Sequence, residues 1–359
     1  MSKEKFRYSM IYNDIKNDIL NDVYKVGSLL PTEQVLSLKY DVNRSTLRKA
    51  MQMLADEGLI EKCPGKGTIV LSSVPVAPES PKVITNKNIG FFLPKENITE
   101  PFYSSLFNIL ERDFQKNGCS LIYTTLDASD NIADKITALG LSGIVFVSNV
   151  VQKHIEYAVS QKIPCVLVNS YSDKLPSVLS DNRKGAYLAG RYLIEHGHKT
   201  VALLAGVRSY LSNQERTAGF LQAFQEEGLS IPPELILETG SWLYDAAEKV
   251  CLNFFNTYTG EMPTALFAFN DRLATGAINA ICKTGRTVPD DVSVIGYDNL
   301  GYYNIISPRI TTVETHIEAI SESTVMHMIW QLNNGSCLPV KVLTPVEVIS
   351  GETVRSLLC

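Results

Sequence analysis

Residues 31–70 constrain this chain more than any other stretch. Thr32 stands where a helix N-cap belongs, ahead of the apolar positions Val35, Leu36 and Leu38, which are expected to face inward. Asp41-Val42-Asn43 breaks the periodicity. A second helix follows from Arg44, in which Leu47, Ala50, Met51 and Leu54 recur at three and four residues and define one buried stripe. Arg44, Ser45, Arg48, Lys49 and Gln52 fall on the opposite face, and Gly58 is placed to end the helix. Residues 59–62 then read as a strand, Pro64-Gly65-Lys66-Gly67 as a tight turn, and residues 68–71 as the hairpin partner. Residues 9–22 supply a further helix whose Ile11, Ile15 and Ile19 pack under the other two. The expectation is a winged helix-turn-helix.

Its chemistry suits duplex DNA. Arg44 and Arg48 lie one turn apart near the start of the second helix, where guanidinium groups fork onto guanine edges or phosphates in the major groove. Ser45 and Thr46 carry short hydroxyls suited to phosphate. Lys66 sits between two glycines that allow close backbone approach at a wing tip beside the minor groove. Each cation alone is equally an ordinary solvated helix face; the order of cap, short helix, turn, basic helix and glycine hairpin is what favours DNA. The Gly-Lys-Gly-Thr turn lacks the glycine spacing of a phosphate loop.

The run Leu30-Pro31-Thr32-Glu33, Val42 to Ala50, Leu54, Glu57-Gly58-Leu59-Ile60 and Gly65-Lys66-Gly67-Thr68 resembles the DNA-binding domain of the GntR family of bacterial repressors. That resemblance implies operator contacts by Arg44, Thr46 and Arg48, with Gly65, Lys66 and Gly67 at the wing. The full DNA-facing set is then Thr32, Glu33, Arg44, Ser45, Thr46, Arg48, Lys49, Gly65, Lys66 and Gly67. Cys63-Pro64 departs from the basic or glutamine residues the family often has there.

Charge is distributed in keeping with this. Residues 1–72 carry 11 Lys/Arg against 9 Asp/Glu, whereas the remainder carries 22 against 29, so a mildly basic head precedes an acidic body. The seven cysteines are scattered without a CxxC or CxxH pair, which argues against a disulfide framework or a zinc site. The first residues hold no apolar signal-peptide core, and no apolar run reaches the roughly 18 residues of a membrane span. A cytoplasmic protein that engages no membrane is expected.

Residues 72–87 carry three prolines and few large apolar side chains and read as an extended linker. Beyond it, short apolar strands at 89–93, 120–124, 143–147, 165–169, 177–180, 201–205, 266–270 and 292–297 alternate with amphipathic helices such as 102–117, 185–196, 216–227 and 271–284. Near-continuous apolar strands separated by helices mean parallel sheet covered on both faces. Ligands in such α/β folds sit at the carboxyl ends of strands. Phe102, Tyr103, Asn169, Asp181, Asn270, Asp271 and Asp298 fall there, and Arg216 is expected to open a helix. Carboxylate, amide and guanidinium groups beside aromatic faces suit a polyhydroxylated ligand. Asp271 is expected to cap the helix that follows it, and capping by Asp181 and a core role for Phe102 stay open on spacing alone.

Segments 176–182, His196-Gly197-His198, Arg216 to Phe220, Pro263-Thr264-Ala265 with Asn270-Asp271, 288–298 and 310–313 together resemble the effector domain of the lactose-repressor family. The resemblance implies a type I periplasmic-binding-protein fold, two lobes joined by three crossings, with a small molecule, usually a sugar, in the cleft. It places Arg216, Asn270 and Asp298 at ligand-binding positions and Phe102, Tyr103 and Asn169 in the wall. A GntR-type head on such a body resembles the arabinose-repressor group, which makes L-arabinose the first effector to consider. The expected domains are a winged helix over 1–71, a linker over 72–87 and a two-lobed effector and dimerisation domain over 88–359.

No GxSxG, HExxH or GxGxxG motif appears, and the histidines form no triad, so neither catalysis nor a cofactor is expected. His196 and His198 could share a metal, but a helix-ending Gly197 followed by a solvated turn is the simpler reading. The function expected is a sugar-responsive repressor, homodimeric because one winged helix reads too few base pairs for useful specificity. The alternative, a non-regulatory sugar-binding transport component, would call for a signal peptide and gain nothing from residues 31–70.

Overall fold

The computed structural model describes residues 3–21, 23–40, 42–56, 59–63, 67–71, 87–301, 307–335 and 339–358. The chain divides into two units, Met1–Val83 and Ile84–Cys359. Residues 72–86, expected as a linker, Gly58, expected to end the second helix, and Gly65 and Lys66, expected at the wing tip, lie outside the described residues.

In the first unit, helices α1 (Lys3–Leu20), α2 (Glu33–Lys39) and α3 (Arg44–Asp56) precede strands β1 (Ile60–Cys63) and β2 (Gly67–Val70). Thr32 caps α2 by accepting from the Val35 N–H, and the Asn43 side chain accepts from the Thr46 N–H at 2.8 Å to start α3. The strands pair antiparallel with Ile60 opposite Val70 and Cys63 opposite Gly67. Ile11, Ile15, Ile19, Leu36, Leu47, Leu54 and Val70 are fully buried and form the core. Val35 and Leu38, expected inside, are 53% and 77% exposed. At about 100° per residue Leu36 and Leu38 point roughly 200° apart, so a two-turn helix resting on one face buries one of them.

In the second unit the elements run β3 (Lys87–Leu93), α4 (Pro101–Lys116), β4 (Cys119–Thr125), α5 (Ile132–Leu139), β5 (Leu141–Val147), α6 (Gln152–Ser160), β6 (Cys165–Val168), β7 (Ser177–Ser180), α7 (Asn182–Glu195), β8 (Val201–Ala205), α8 (Leu211–Glu226), β9 (Ile236–Glu238), α9 (Tyr244–Thr257), β10 (Ala265–Ala268), α10 (Asp271–Lys283), β11 (Ser293–Ile295), β12 (Thr312–Glu314), α11 (Ile317–Asn334), β13 (Lys341–Thr344) and β14 (Glu347–Ile349). Lys87, read from sequence as linker, already belongs to a strand. One lobe holds a six-stranded sheet of order β13-β7-β6-β5-β3-β4, and the other a four-stranded sheet of order β11-β10-β8-β9. Every pair in both sheets is parallel: helices carry the chain back to the same end of the sheet between most successive strands, and residues 169–176 do so without a helix between β6 and β7. β12 and β14 pair antiparallel beside the second lobe.

The chain changes lobes three times: between β7 and α7, between β12 and α11, and between β13 and β14. α11 packs Ile317, Ile320 and Met328 into the first lobe's core. The amide of Gln331 there bonds both the N–H and the C=O of Cys165, at 3.1 and 2.9 Å. In the second lobe α7 and α8 approach closely at Gly219, where a Cβ would lie 2.0 Å from the Arg183 carbonyl oxygen. Three strands joining two separately cored lobes leave a cleft between them.

Candidate functional site

The cleft has an empty volume of about 440 Å3 and is lined from both lobes. Asn97, Glu100, Phe102, Tyr103 and Asn169 come from the first lobe; Tyr210, Ser212, Arg216, Trp242, Asn270 and Asp298 come from the second side. All six residues singled out from the sequence for the ligand lie together on its wall.

Arg216 is its organising cation. α8 starts at Leu211, five residues earlier than expected, so Arg216 sits in the second turn and not at the helix opening. That register places it on the stripe of Asn213, Gly219, Phe220 and Ala223, which is buried. Its Nε donates to Asn182 Oδ1 at 2.9 Å, one terminal nitrogen to the Phe269 carbonyl oxygen, and the other to Asp298 Oδ1 at 3.2 Å. The guanidinium also lies 3.6 Å above the Tyr297 ring centroid. A buried charge persists only when its donors are occupied in this way.

Asp298 follows β11 with φ +102° and is held by its own N–H donating to the Val313 carbonyl oxygen at 2.8 Å. Burial pushes its carboxyl up to about 6, against the pull of Arg216. Glu100, also buried, is pushed by burial up to about 7 while Arg272 opposes the rise at 3.2 Å. The Asn270 side chain caps α10, its Oδ1 accepting from the Leu273 N–H at 2.7 Å, which locks the amide with Nδ2 as the donor end available to a ligand.

Asp271, expected from sequence to cap α10, does not, because Asn270 takes that role. Its side chain is buried at the lobe junction, accepting from Thr312 Oγ1 at 2.6 Å and the Leu300 N–H at 3.3 Å, and burial raises its carboxyl pKa well above normal. Asp181 does cap, accepting from the Lys184 N–H at 3.1 Å. Phe102 combines both readings, contributing to the first lobe's core and to the cleft wall.

Two cleft atoms have no hydrogen-bond partner among the described residues: Asn169 Oδ1, an acceptor, and Trp242 Nε1, a donor. Asn169 ends β6 at φ +52°, a conformation asparagine tolerates better than most residues. The Trp242 indole lies flat against Gly206, where a Cβ would sit 2.6 Å from the ring, and 5.9 Å from the Tyr210 ring. Tyr210 in turn donates to Glu96 Oε1 at 2.7 Å. Sequence reasoning missed Asn97, Glu100, Tyr210, Ser212 and Trp242. Gly206 and Thr239 begin the loops after β8 and β9, so the same strand-end rule applied to those loops would have found Tyr210 and Trp242.

In the head, Arg44, Arg48 and Lys49 are exposed on α3 as expected. Thr46 is not: it is buried, its N–H taken by the Asn43 cap. The Thr32 hydroxyl is engaged as the α2 cap. Gly67 opens β2 at φ +108° and 3.3 Å from Leu29 for an added Cβ, so glycine suits it for both reasons. The Ser45 side chain lies outside the described residues. Glu33 pairs with Arg48 and Lys62. His198, read as part of a solvated turn, is fully buried between Thr264 Oγ1 and the Arg355 carbonyl oxygen, each at 3.0 Å, and no group of three metal-ligating side chains occurs among the described residues.

Comparison with known proteins matches residues 7–70 to the gntR family of bacterial regulatory proteins and residues 191–354 to the periplasmic binding protein-like domain. Among curated relatives, the probable HTH-type transcriptional repressor ExuR of Bacillus subtilis is 30% identical over 234 residues, covering 62% of this chain and 68% of its own. The HTH-type transcriptional repressor PurR of Pasteurella multocida is 29% identical over 283 residues, covering 77% and 83%. Among solved structures, a LacI-family regulator from Enterococcus faecium with bound ribose superposes with TM-score 0.68 at 24% identity, covering 76% of this chain and all of that one. The lac repressor dimer bound to operator and an anti-inducer gives TM-score 0.65 at 23% identity over 76% of this chain and 95% of that one. The chain belongs to the HTH-type transcriptional repressors and joins a gntR-family DNA-binding head to a periplasmic-binding-protein-like domain.

Proposed function

We propose that this repressor is released from operator DNA by a small, uncharged carbohydrate that binds between the lobes. The observation that carries the reading is the state of the cleft charges. Arg216 is spent on Asp298 and two carbonyl-type oxygens, and Arg272 on Glu100 and the Thr99 carbonyl oxygen. Arg216 stands against Asp298 and Arg272, through one terminal nitrogen, against Glu100, so each cation is charge-paired with a carboxylate, while Asn169, with an unpartnered acceptor, and Trp242, with an unpartnered donor, line the same space. Hydroxyl groups, each donor and acceptor, complement that set, and the Trp242 and Tyr210 rings suit the C–H face of a sugar. The ribose bound by the Enterococcus faecium regulator supports the same class. The pairing of head and body, which resembles the arabinose-repressor group, makes L-arabinose the first sugar to test.

Operator contact is assigned to α3 through Arg44, Arg48 and Lys49 and to the wing. A homodimer on a two-fold operator follows from the few base pairs one head can read, and the lac repressor dimer on its operator supports it. Effector acts through its differential affinity for the two states. The test is a thermal-shift screen of the full-length protein over neutral pentoses and hexoses, their phosphates and their uronic acids, since a bound ligand raises stability by mass action. A shift with a neutral sugar that also releases DNA is expected. A response confined to phosphorylated or acidic sugars would refute the charge argument.

A further inference from the structure

The head places one carboxylate where three elements meet. Glu33 is the first residue of α2, and its two oxygens take cations from two other elements. Oε2 receives Arg48 Nε of α3 at 3.1 Å, and Oε1 receives Lys62 Nζ of β1 at 2.7 Å. Both cationic side chains are otherwise open to water, 62% and 71% exposed, whereas Glu33 is 24% exposed. Lys62 lies opposite Thr68 in the hairpin, two residues beyond the core residue Ile60 and on the same strand face. The strand therefore carries its ammonium toward the helices and not outward.

Exposed ion pairs of this kind add little to stability. An anion on a DNA-facing surface also repels phosphate. Its presence there is understandable if it organises cations: a flexible lysine and an arginine otherwise sample many rotamers and lose that freedom on binding. The Glu33 carboxyl is held below its usual range, first by the Lys62 hydrogen bond and also by Arg48, so it is anionic whenever DNA would be bound.

We propose that Lys62 is a DNA-contacting residue of the wing's first strand, and that Glu33 is a positioning residue that sets Lys62 and Arg48 together where the recognition helix meets the wing. This rests on the DNA-binding reading of the head. It departs from that reading in taking Glu33 off the list of direct contacts and adding a cation that sequence reasoning did not single out. Lys62 meets phosphate as a point charge; Arg48, held by its Nε, keeps its terminal nitrogens for a base edge or phosphate.

The test uses the full-length protein, a duplex enriched by it from a random-sequence pool, and a scrambled duplex of the same length, over a range of salt. Lys62→Gln should weaken binding to both duplexes about tenfold and reduce the slope of log affinity against log salt by about one, and Lys62→Arg should restore both. Glu33→Gln removes a negative charge, which by simple electrostatics tightens binding to both. As a positioning residue its loss should instead weaken binding to the enriched duplex severalfold, leave the scrambled duplex no weaker, and so lower the ratio between them. Unchanged melting of each variant shows that the fold is intact. If no duplex is enriched by the wild type, the DNA-binding reading falls and the inference with it. If the wild type binds and Lys62→Gln is within twofold with the same slope, or Glu33→Gln tightens binding to both duplexes, the inference alone is overturned.

Discussion

Replacing Arg216 by Leu should destabilise the effector domain by about 3 kcal/mol near pH 7.5 and by much less near pH 5. Arg216 and Asp298 are each 7% exposed, and the guanidinium makes hydrogen bonds to Asn182, Phe269 and Asp298. Removing one partner of a buried pair costs about 3–5 kcal/mol, because the other charge is left without compensation. Leucine keeps part of the alkyl contact over Tyr297, which places the expected loss at the low end. Asp298 has one escape, which is to take up a proton. Its carboxyl is pushed up to about 6 even with Arg216 beside it, and without that cation it rises further. A carboxyl whose folded pKa lies above its unfolded value destabilises at high pH, and that penalty fades as pH falls through the folded pKa. The loss in Arg216→Leu is therefore largest in alkali and shrinks toward pH 5. Adding Asp298→Asn removes the stranded charge, so the double variant should recover about 1 kcal/mol or more at pH 7.5. Both tryptophans, Trp242 and Trp330, lie in the effector unit, so urea unfolding followed by their fluorescence reports that unit alone. A loss below about 1 kcal/mol, an equal loss at both pH values, or a double variant weaker than the single would refute the reasoning.

Three further outcomes are expected. Glu100, raised to about 7, accepts a ligand hydroxyl best when ionised, so the Kd of the effector found by the screen should fall severalfold from pH 6 to pH 8, and a flat titration calorimetry profile would exclude that contact. Gly219→Ala forces a methyl against the Arg183 carbonyl oxygen between α7 and α8 and should cost about 1–3 kcal/mol in urea unfolding, whereas a change under about 0.5 kcal/mol would mean that the helices are not in contact there. Ile15→Ala removes a fully buried side chain from the head's small core, at about 2–5 kcal/mol, and should abolish duplex binding in a gel-shift assay while the sugar-induced thermal shift persists; loss of both would show that the two units do not fold separately.

The local pattern carried a good deal of this protein. Periodicity of about two or 3.6 residues marks which face of an element is apolar, and on that basis α3 and most strands of the effector domain were placed within a few residues, whereas α1 begins at Lys3, six residues before its expected start. Strand-end reasoning found Phe102, Tyr103, Asn169, Asn270 and Asp298 because their position relative to a strand is itself local. Periodicity failed for Leu38, since a seven-residue helix holds too few turns to tell an inner stripe from an outer one, and the resemblance that implied a DNA contact by Thr46 carries no information on its burial.

Sequence by itself determined the order of elements, the basic head and the chemical kinds of side chain at the strand ends, because each depends on neighbours a few residues away. Only the tertiary structure decided that β13 returns to pair with β7, that Glu100 and Arg272 meet across the lobes, that Arg216 is consumed by Asp298, Asn182 and Phe269, and that Glu33 gathers Arg48 and Lys62. Those contacts join residues far apart along the chain. An apolar stripe records that a face is buried, whereas the partner it is buried against is set by how the whole chain closes on itself.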